Sequence, residues 1–228
     1  MEKILITGIS GAGKSFSLRN LKPEEVFFIR GTSKMPIAVK GAHKLFIPLT
    51  PDKKSGNMVT LTRPFKENDK GEWESQMNQL YQIAIERKFK TIVIDDVQYI
   101  LLTIENIFKG TGEFKDQRRI YALIKQFTYN LFSLADVTQD KYGIQTIFLW
   151  QKQATKNELV IPGEAFNEVI VPQGFFNVVL EAETTITGDH VFRTNGMGLC
   201  KSPYEMFESD NIPNDILEVN NCIEKFYE

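Results

Sequence analysis

The chemistry in this chain starts at Gly8-Ile9-Ser10-Gly11-Ala12-Gly13-Lys14-Ser15, which matches the pattern G-x-x-x-x-G-K-[ST]. Glycines let the backbone curl so that successive N–H groups point inward and make a nest for an anion. A helix starting directly after the loop would add its positive N-terminal end. Lys14 supplies a point charge for the β- and γ-phosphates of a nucleoside triphosphate, and the Ser15 hydroxyl supplies a hard oxygen for Mg²⁺. A chance match is expected in about one chain per hundred of this length. An apolar strand just before the string and a helical pattern just after it make chance rarer still. The expected nucleotide-binding set is Gly8, Ser10, Gly11, Ala12, Gly13, Lys14, Ser15 and Phe16, with ATP, or a close relative such as GTP, and Mg²⁺ as the ligands.

A second motif lies about 80 residues on. Thr91-Ile92-Val93-Ile94 is fully apolar and ends in Asp95-Asp96. Such a strand is expected beside the phosphate-loop strand, with Asp95 reaching the Mg²⁺ shell next to Ser15. The separation also leaves room for one or two intervening strands, as in the broad P-loop group that places a strand between the two. Asp96 fits either a catalytic role, orienting water, or the plainer role of capping the following helix. Ile147–Trp150 is another apolar run, and it ends at Gln151. Strand tips converge on the ligand in open α/β sheets, so Gln151 is a candidate γ-phosphate sensor, with Gln153 behind it. A surface glutamine is the plainer alternative.

The elements that must hold these groups follow from periodicity. Met1–Thr7, Val26–Arg30, Met58–Thr62, Thr91–Ile94 and Ile144–Trp150 read as strands. Ser15–Leu21, Glu72–Lys88, Tyr99–Phe108 and Phe114–Ala135 read as helices, Trp73 sharing one face with Met77, Leu80, Ile83 and Ala84. Residues 31–56 are rich in Gly, Pro and Lys and read as a long loop with short edge strands. Beyond residue 155 the texture changes to short strands at Val160–Ile161, Glu168–Val171, Asn177–Glu183 and His190–Thr194, closed by a helix over Ile212–Tyr227. Strand–helix alternation over 1–150 implies an α/β fold with a mostly parallel central sheet flanked by helices. The C-terminal side is expected to extend that sheet with antiparallel strands. The 228 residues read as one domain, with a core over 1–155 and a strand-rich extension over 156–228.

Composition excludes several classes. Two histidines and two distant cysteines make a zinc site or a histidine triad a poor fit, and Cys200 and Cys222 read as free thiols. A net charge of −2 does not suit a general polyanion binder. Local basic stretches do exist: Lys34, Lys40, Lys44, Lys53 and Lys54, with His43 and Phe46 among them, and the pair Arg118-Arg119. No apolar run is long enough to span a membrane, and no leader pattern is visible. The default compartment is therefore cytoplasmic, the host's cytoplasm if the gene is phage-encoded.

Gly8–Ser15, Asp95-Asp96-Val97-Gln98-Tyr99 and the stretch from Phe175 onward together resemble the phage-encoded RecA-like P-loop ATPases, the AAA-type phage nucleotide-binding proteins related to Sak-type recombination proteins. Lys34–Gly41 resembles that family's Lys-Pro-Leu-Pro-Phe segment. Phe176–Leu180, Phe192-Arg193-Thr194, Lys201-Ser202-Pro203 and Met206-Phe207 resemble its last strands. The resemblance implies a RecA-like ATPase core that assembles into rings or filaments with ATP between subunits. It implies action on single-stranded DNA in recombination or replication, with single-strand-binding protein as a partner. In such assemblies a cation from one subunit reaches the neighbour's γ-phosphate, which makes Lys201 the candidate and Arg193 the alternative. The catalytic base is not defined by the motif, with Glu72 and Glu74 as weak candidates. Two other classes stay open. One is a nucleotide-dependent assembly switch with little turnover. The other is a small-molecule (nucleotide) kinase, against which the scarcity of arginines counts.

Overall fold

The structure is a computed structural model that describes residues 2–33, 41–67, 73–110, 117–162, 171–196 and 198–228. Its frame is an eight-stranded sheet. Four short runs form the centre: β1 (Ile4–Gly8), β2 (Val26–Arg30), β6 (Thr91–Asp95) and β7 (Gln145–Gln151). They are apolar without alternation because both faces of a parallel sheet are covered. β3 (Met58–Thr60) lies at one edge. At the other end lie β8 (Val178–Thr184), β9 (His190–Arg193) and β10 (Asn211–Pro213). The order is β10-β9-β8-β1-β7-β6-β2-β3. β8, β1, β7, β6, β2 and β3 run parallel, while β9 and β10 are antiparallel additions. The antiparallel extension thus begins one strand later than expected, because Val178–Thr184 pairs directly alongside β1.

Helices cover both faces. Leu5, Ile94, Phe148 and Trp150 pack on one side beneath α2 (Gln76–Glu86), α3 (Val97–Gly110) and α4 (Gln117–Tyr142). Ile4, Ile6, Val93 and Leu149 pack on the other, with the segment after the phosphate loop, α1 (Ala42–Leu45) and α5 (Ile216–Tyr227). β4 (Phe65–Glu67) and β5 (Trp73–Ser75) form a separate hairpin.

Several expectations need correction. The Asp95 strand is not beside the phosphate-loop strand; the alternative with a strand between them holds, β7 pairing with β1 on one side and β6 on the other. Ser15–Leu21 is not an α-helix. Ser15–Leu18 is a 3-10 turn, with Ser17 Oγ donating to the Lys14 carbonyl at 2.6 Å. Serine side chains that bond local backbone compete with α-helical bonding. Trp73 belongs to β5, not to a helix face, because Ser75 caps α2 by accepting from the Met77 N–H. The loop over 31–56 contains the short helix α1, and Ile212 belongs to β10 rather than to the final helix. Val160–Ile161 forms no named strand; the neighbouring Leu159 makes a single bridge to Lys152. Residues 34–40, 72, 114 and 168–170 lie outside the described residues. Both cysteines are free.

Phe132 is the hub of an aromatic cluster that ties α4 to the sheet. Its ring meets Phe148, Phe175 and Phe176 at 5.1 to 5.5 Å between centroids, and it is 2% exposed. Phe132→Ala is expected to cost about 3–5 kcal/mol of stability. Urea unfolding followed by far-UV circular dichroism checks this, and a cost below about 1 kcal/mol would contradict the packing.

Candidate functional site

The carboxyl ends of β1, β6 and β7 open onto one crevice, and β1 sits where the chain turns from one side of the sheet to the other. The phosphate loop leaves β1 there. Gly8 has φ +148° and a side chain on it would meet the Ala182 carbonyl at 2.7 Å. Gly13 has φ +95°, and a Cβ there would come within 2.7 Å of the His190 ring. Both positions need glycine for conformation and for space. Ser10 and Gly11 are exposed, Ala12 is buried, and Gly13, Ser15 and Phe16 are half-buried.

Lys14 is buried, and its ammonium donates to the carbonyls of Gly8 and Ile9, each at 2.9 Å. Burial lowers its pKa, while Asp96 and then Asp95 push it back up. Asp95 ends β6 on the face that carries the phosphate loop, and Ser15 hydrogen-bonds its carboxyl. The Asp95 carboxyl is pushed up to about 8, by burial first and then by the Asp96 charge, against the pull of Lys14, the Asp96 backbone and Ser15. Three expected residues from two motifs therefore meet at one point.

Asp96 sits in the left-handed region at φ +57°, a conformation that costs energy for a residue with a side chain. Its Oδ1 accepts from Gln98 Nε2 at 2.9 Å, and Thr32 Oγ1 approaches Oδ2 at 3.5 Å. Gln98 was not among the expected site residues. It is 3% exposed, and its Oε1 accepts from the Gln151 N–H at 3.1 Å. One buried amide thus ties Asp96 to the end of β7, where Gln151 stands opposite Gly8 in register. The sequence signal for Gln98 is its place in the Asp95–Tyr99 block, two residues past the acidic pair. Gln153 donates its backbone N–H to the Glu158 carbonyl at 2.8 Å.

Lys201 is not brought to this site. It is exposed and pairs through its backbone with Val179, whose partner on β1 is Leu5. That is three residues below Gly8, about 10 Å down the strand. Arg193 aligns with Glu181 nearer the loop and is ion-paired to Glu183 at 2.8 Å. Glu74 is exposed in the β5–α2 segment, and Glu72 lies outside the described residues.

The oxygen donors fit Mg²⁺. A serine hydroxyl beside one carboxylate is the sparse, hard set that this ion takes when phosphates and water complete its octahedron. Among the described residues no cluster of three or more His, Cys, Asp or Glu could hold a metal by protein ligands alone. Also among them, no helix is long and apolar enough to cross a membrane.

The AAA domain family matches residues 3–157, which span β1 through β7 and include Lys14, Ser15, Asp95, Asp96, Gln98 and Gln151, while Ala182 and His190 at the loop lie beyond the match. The chain belongs to the AAA domain family, and its architecture is a mostly parallel α/β sheet covered by helices on both faces, with the phosphate loop leaving β1. A structural likeness to a KaiC-like protein from the hyperthermophilic archaeon Pyrococcus horikoshii has a TM-score of 0.41 at 14% identity, over 92% of this chain and 88% of that one. No curated protein matches.

Asp95 carries a stability signature. A carboxyl whose folded pKa is raised binds more protons folded than unfolded, so stability falls as pH rises between about 4 and 8. In chelator, Asp95→Asn should therefore melt above wild type at about pH 9, and the gap should close toward about pH 4. Calorimetry across that range checks the sign. An Asp95→Asn protein that melts lower at high pH would contradict the burial.

Proposed function

We propose that this chain is a Mg²⁺-dependent ATPase that works as an oligomer, a ring or filament, on single-stranded DNA in phage recombination or replication. The observation that carries the ATPase part is the meeting of Lys14, Ser15 and Asp95 at the carboxyl ends of parallel strands. Inward amides of 8–15 would hold the phosphates, and Lys14 would exchange the Gly8 and Ile9 carbonyls for β- and γ-oxygens. Ser15 and Asp95 would hold Mg²⁺, which supplies charge neutralisation at the phosphates. Asp96, held by Gln98, would orient the attacking water. Gln151, tied to the same glutamine, would report the presence of the γ-phosphate.

Oligomer action draws support from where Lys201 stands. The candidate finger Lys201 lies about 10 Å down the sheet from Gly8, so a catalytic role for it requires a neighbour's nucleotide. Direct contact with DNA draws support from Lys44 and Lys54, exposed near β3, and from exposed Arg118 and Arg119 on α4. Repeated around a ring, these add a positive surface that the net charge of a single chain hides. Phe46 is no stacking platform there: it is 2% exposed and packed on Phe28 at 4.5 Å. Single-strand-binding protein is the partner that the sequence resemblance favours.

Lys14→Ala should lower ATP turnover about 100-fold or more. Steady-state phosphate release, with and without single-stranded DNA, checks this, and wild-type turnover in the variant would overturn the site. Mixing Lys201→Ala with Asp95→Ala subunits should restore activity that neither has alone. Absence of rescue at every ratio would refute the trans role.

A further inference from the structure

A buried ion pair that phosphate chemistry leaves unused connects the phosphate loop to the segment carrying Lys201. The Gly8 carbonyl accepts from Lys14 Nζ at 2.9 Å and from the Lys152 N–H at 3.0 Å. The Lys152 ammonium in turn donates to Glu181 Oε1 on β8. Glu181 stands opposite Thr7 of β1 on one side and Arg193 of β9 on the other. Its side chain is 4% exposed, so its charge needs partners. The second carboxylate oxygen faces residues 198–199. The Leu199 N–H lies 3.5 Å from Oε2, and Gly198, at φ +149°, comes so close that a Cβ there would sit 2.7 Å from the same oxygen. Two residues on, Lys201 bonds Val179 through both of its backbone groups, at 2.8 and 2.9 Å. The 198–201 segment is thus seated on β8 at two points, and Glu181 is one of them.

We propose that Glu181 is a positioning residue, which holds the 198–201 segment where Lys201 can meet the nucleotide of a neighbouring copy. This rests on the trans role of Lys201 proposed above. A carboxylate suits the task because its two oxygens accept in two directions, from a cation on one side and from a backbone N–H on the other. An amide could not replace it. Its NH2 group would face either the Lys152 ammonium or the Leu199 N–H, donor against donor. The pair also links the placement to the state of the loop. A phosphate that draws Lys14 off the Gly8 carbonyl leaves that oxygen to the Lys152 N–H. Occupancy of the loop is therefore felt first at the residue that holds Glu181.

Subunit mixing with the full chain tests this, read by ATP turnover beside ATP affinity. Glu181→Gln alone should lower kcat about 100-fold and hold the Kd for ATP with Mg²⁺ within about twofold. Mixed with Asp95→Ala subunits it should regain turnover, because its own nucleotide site is whole and the partner lends a well-placed lysine. Mixed with Lys201→Ala subunits it should regain none. Gly198→Ala, at an exposed position, should behave the same way, and it gives a separate arm should the Glu181 variant fail to fold. Wild-type turnover in both variants would overturn the positioning role. Rescue by Lys201→Ala but not by Asp95→Ala would also overturn it, placing Glu181 on its own copy's loop. The Lys201→Ala and Asp95→Ala mixture is the reference. If it regains turnover and the Glu181 and Gly198 variants regain it with neither partner, the positioning role alone fails. If the reference regains none, the trans role fails and this inference with it.

Discussion

A lysine ammonium buried at the end of a parallel sheet is the constraint on which the rest of the structure depends. Lys14 cannot stay charged there without partners, because burial in a poorly polarisable interior disfavours the ion. Two backbone carbonyls take two of its three donors, and Asp96 and then Asp95 offset its burial electrostatically. A triphosphate meets the same need with more charge and better-aimed oxygens. The carboxylates have the converse problem. Asp95 is pushed toward its neutral form by its own burial and by Asp96, and a divalent cation would reverse that push. On the function proposed above, phosphate and metal are the ligands that would relieve both charges.

The sheet order gives this arrangement its geometry. With β7 between β1 and β6, the crevice is three strand tips wide, with the lysine loop on one strand and the acidic pair on another. The middle tip, Gln151, then stands between the loop and the acidic pair. Gln98 makes the connection physical, because its amide bonds both Asp96 and the Gln151 backbone. A γ-phosphate that moved Asp96 would pull on β7 through one buried side chain. On the far flank, β8 packs against β1, and its hairpin partner β9 brings His190 onto the loop. The C-terminal third of the chain therefore reaches the phosphate loop.

Much of this was legible in the sequence, for physical reasons. The loop from Gly8 to Ser15 is readable because glycine spacing encodes backbone dihedrals, and Gly8 and Gly13 do carry the positive φ values required. The four central strands are readable because burial on both faces leaves no polar alternation. Asp95 followed from its place at the end of such a strand. What could not be read depends on contacts distant in sequence or on local competition. His190 and Asn214 reach Gly13 and Arg19 only through the pairing of β8, β9 and β10. The 3-10 turn at Ser15–Leu18 reflects the Ser17 bond to Lys14, together with Arg19 and Asn20 held by Asn214 and Asp215. Trp73 looked helical by spacing because its period matches Met77, yet the cap at Ser75 starts the helix after it.

The most direct measurement is a crystal structure of the full chain with Mg²⁺ and a non-hydrolysable ATP analogue. The β- and γ-phosphates are expected inside the amides of residues 8–15, with Lys14 Nζ moved from the Gly8 and Ile9 carbonyls to phosphate oxygens and the metal between Ser15 and Asp95. Analogue bound elsewhere, with the lysine still on its two carbonyls, would contradict the assignment of this crevice.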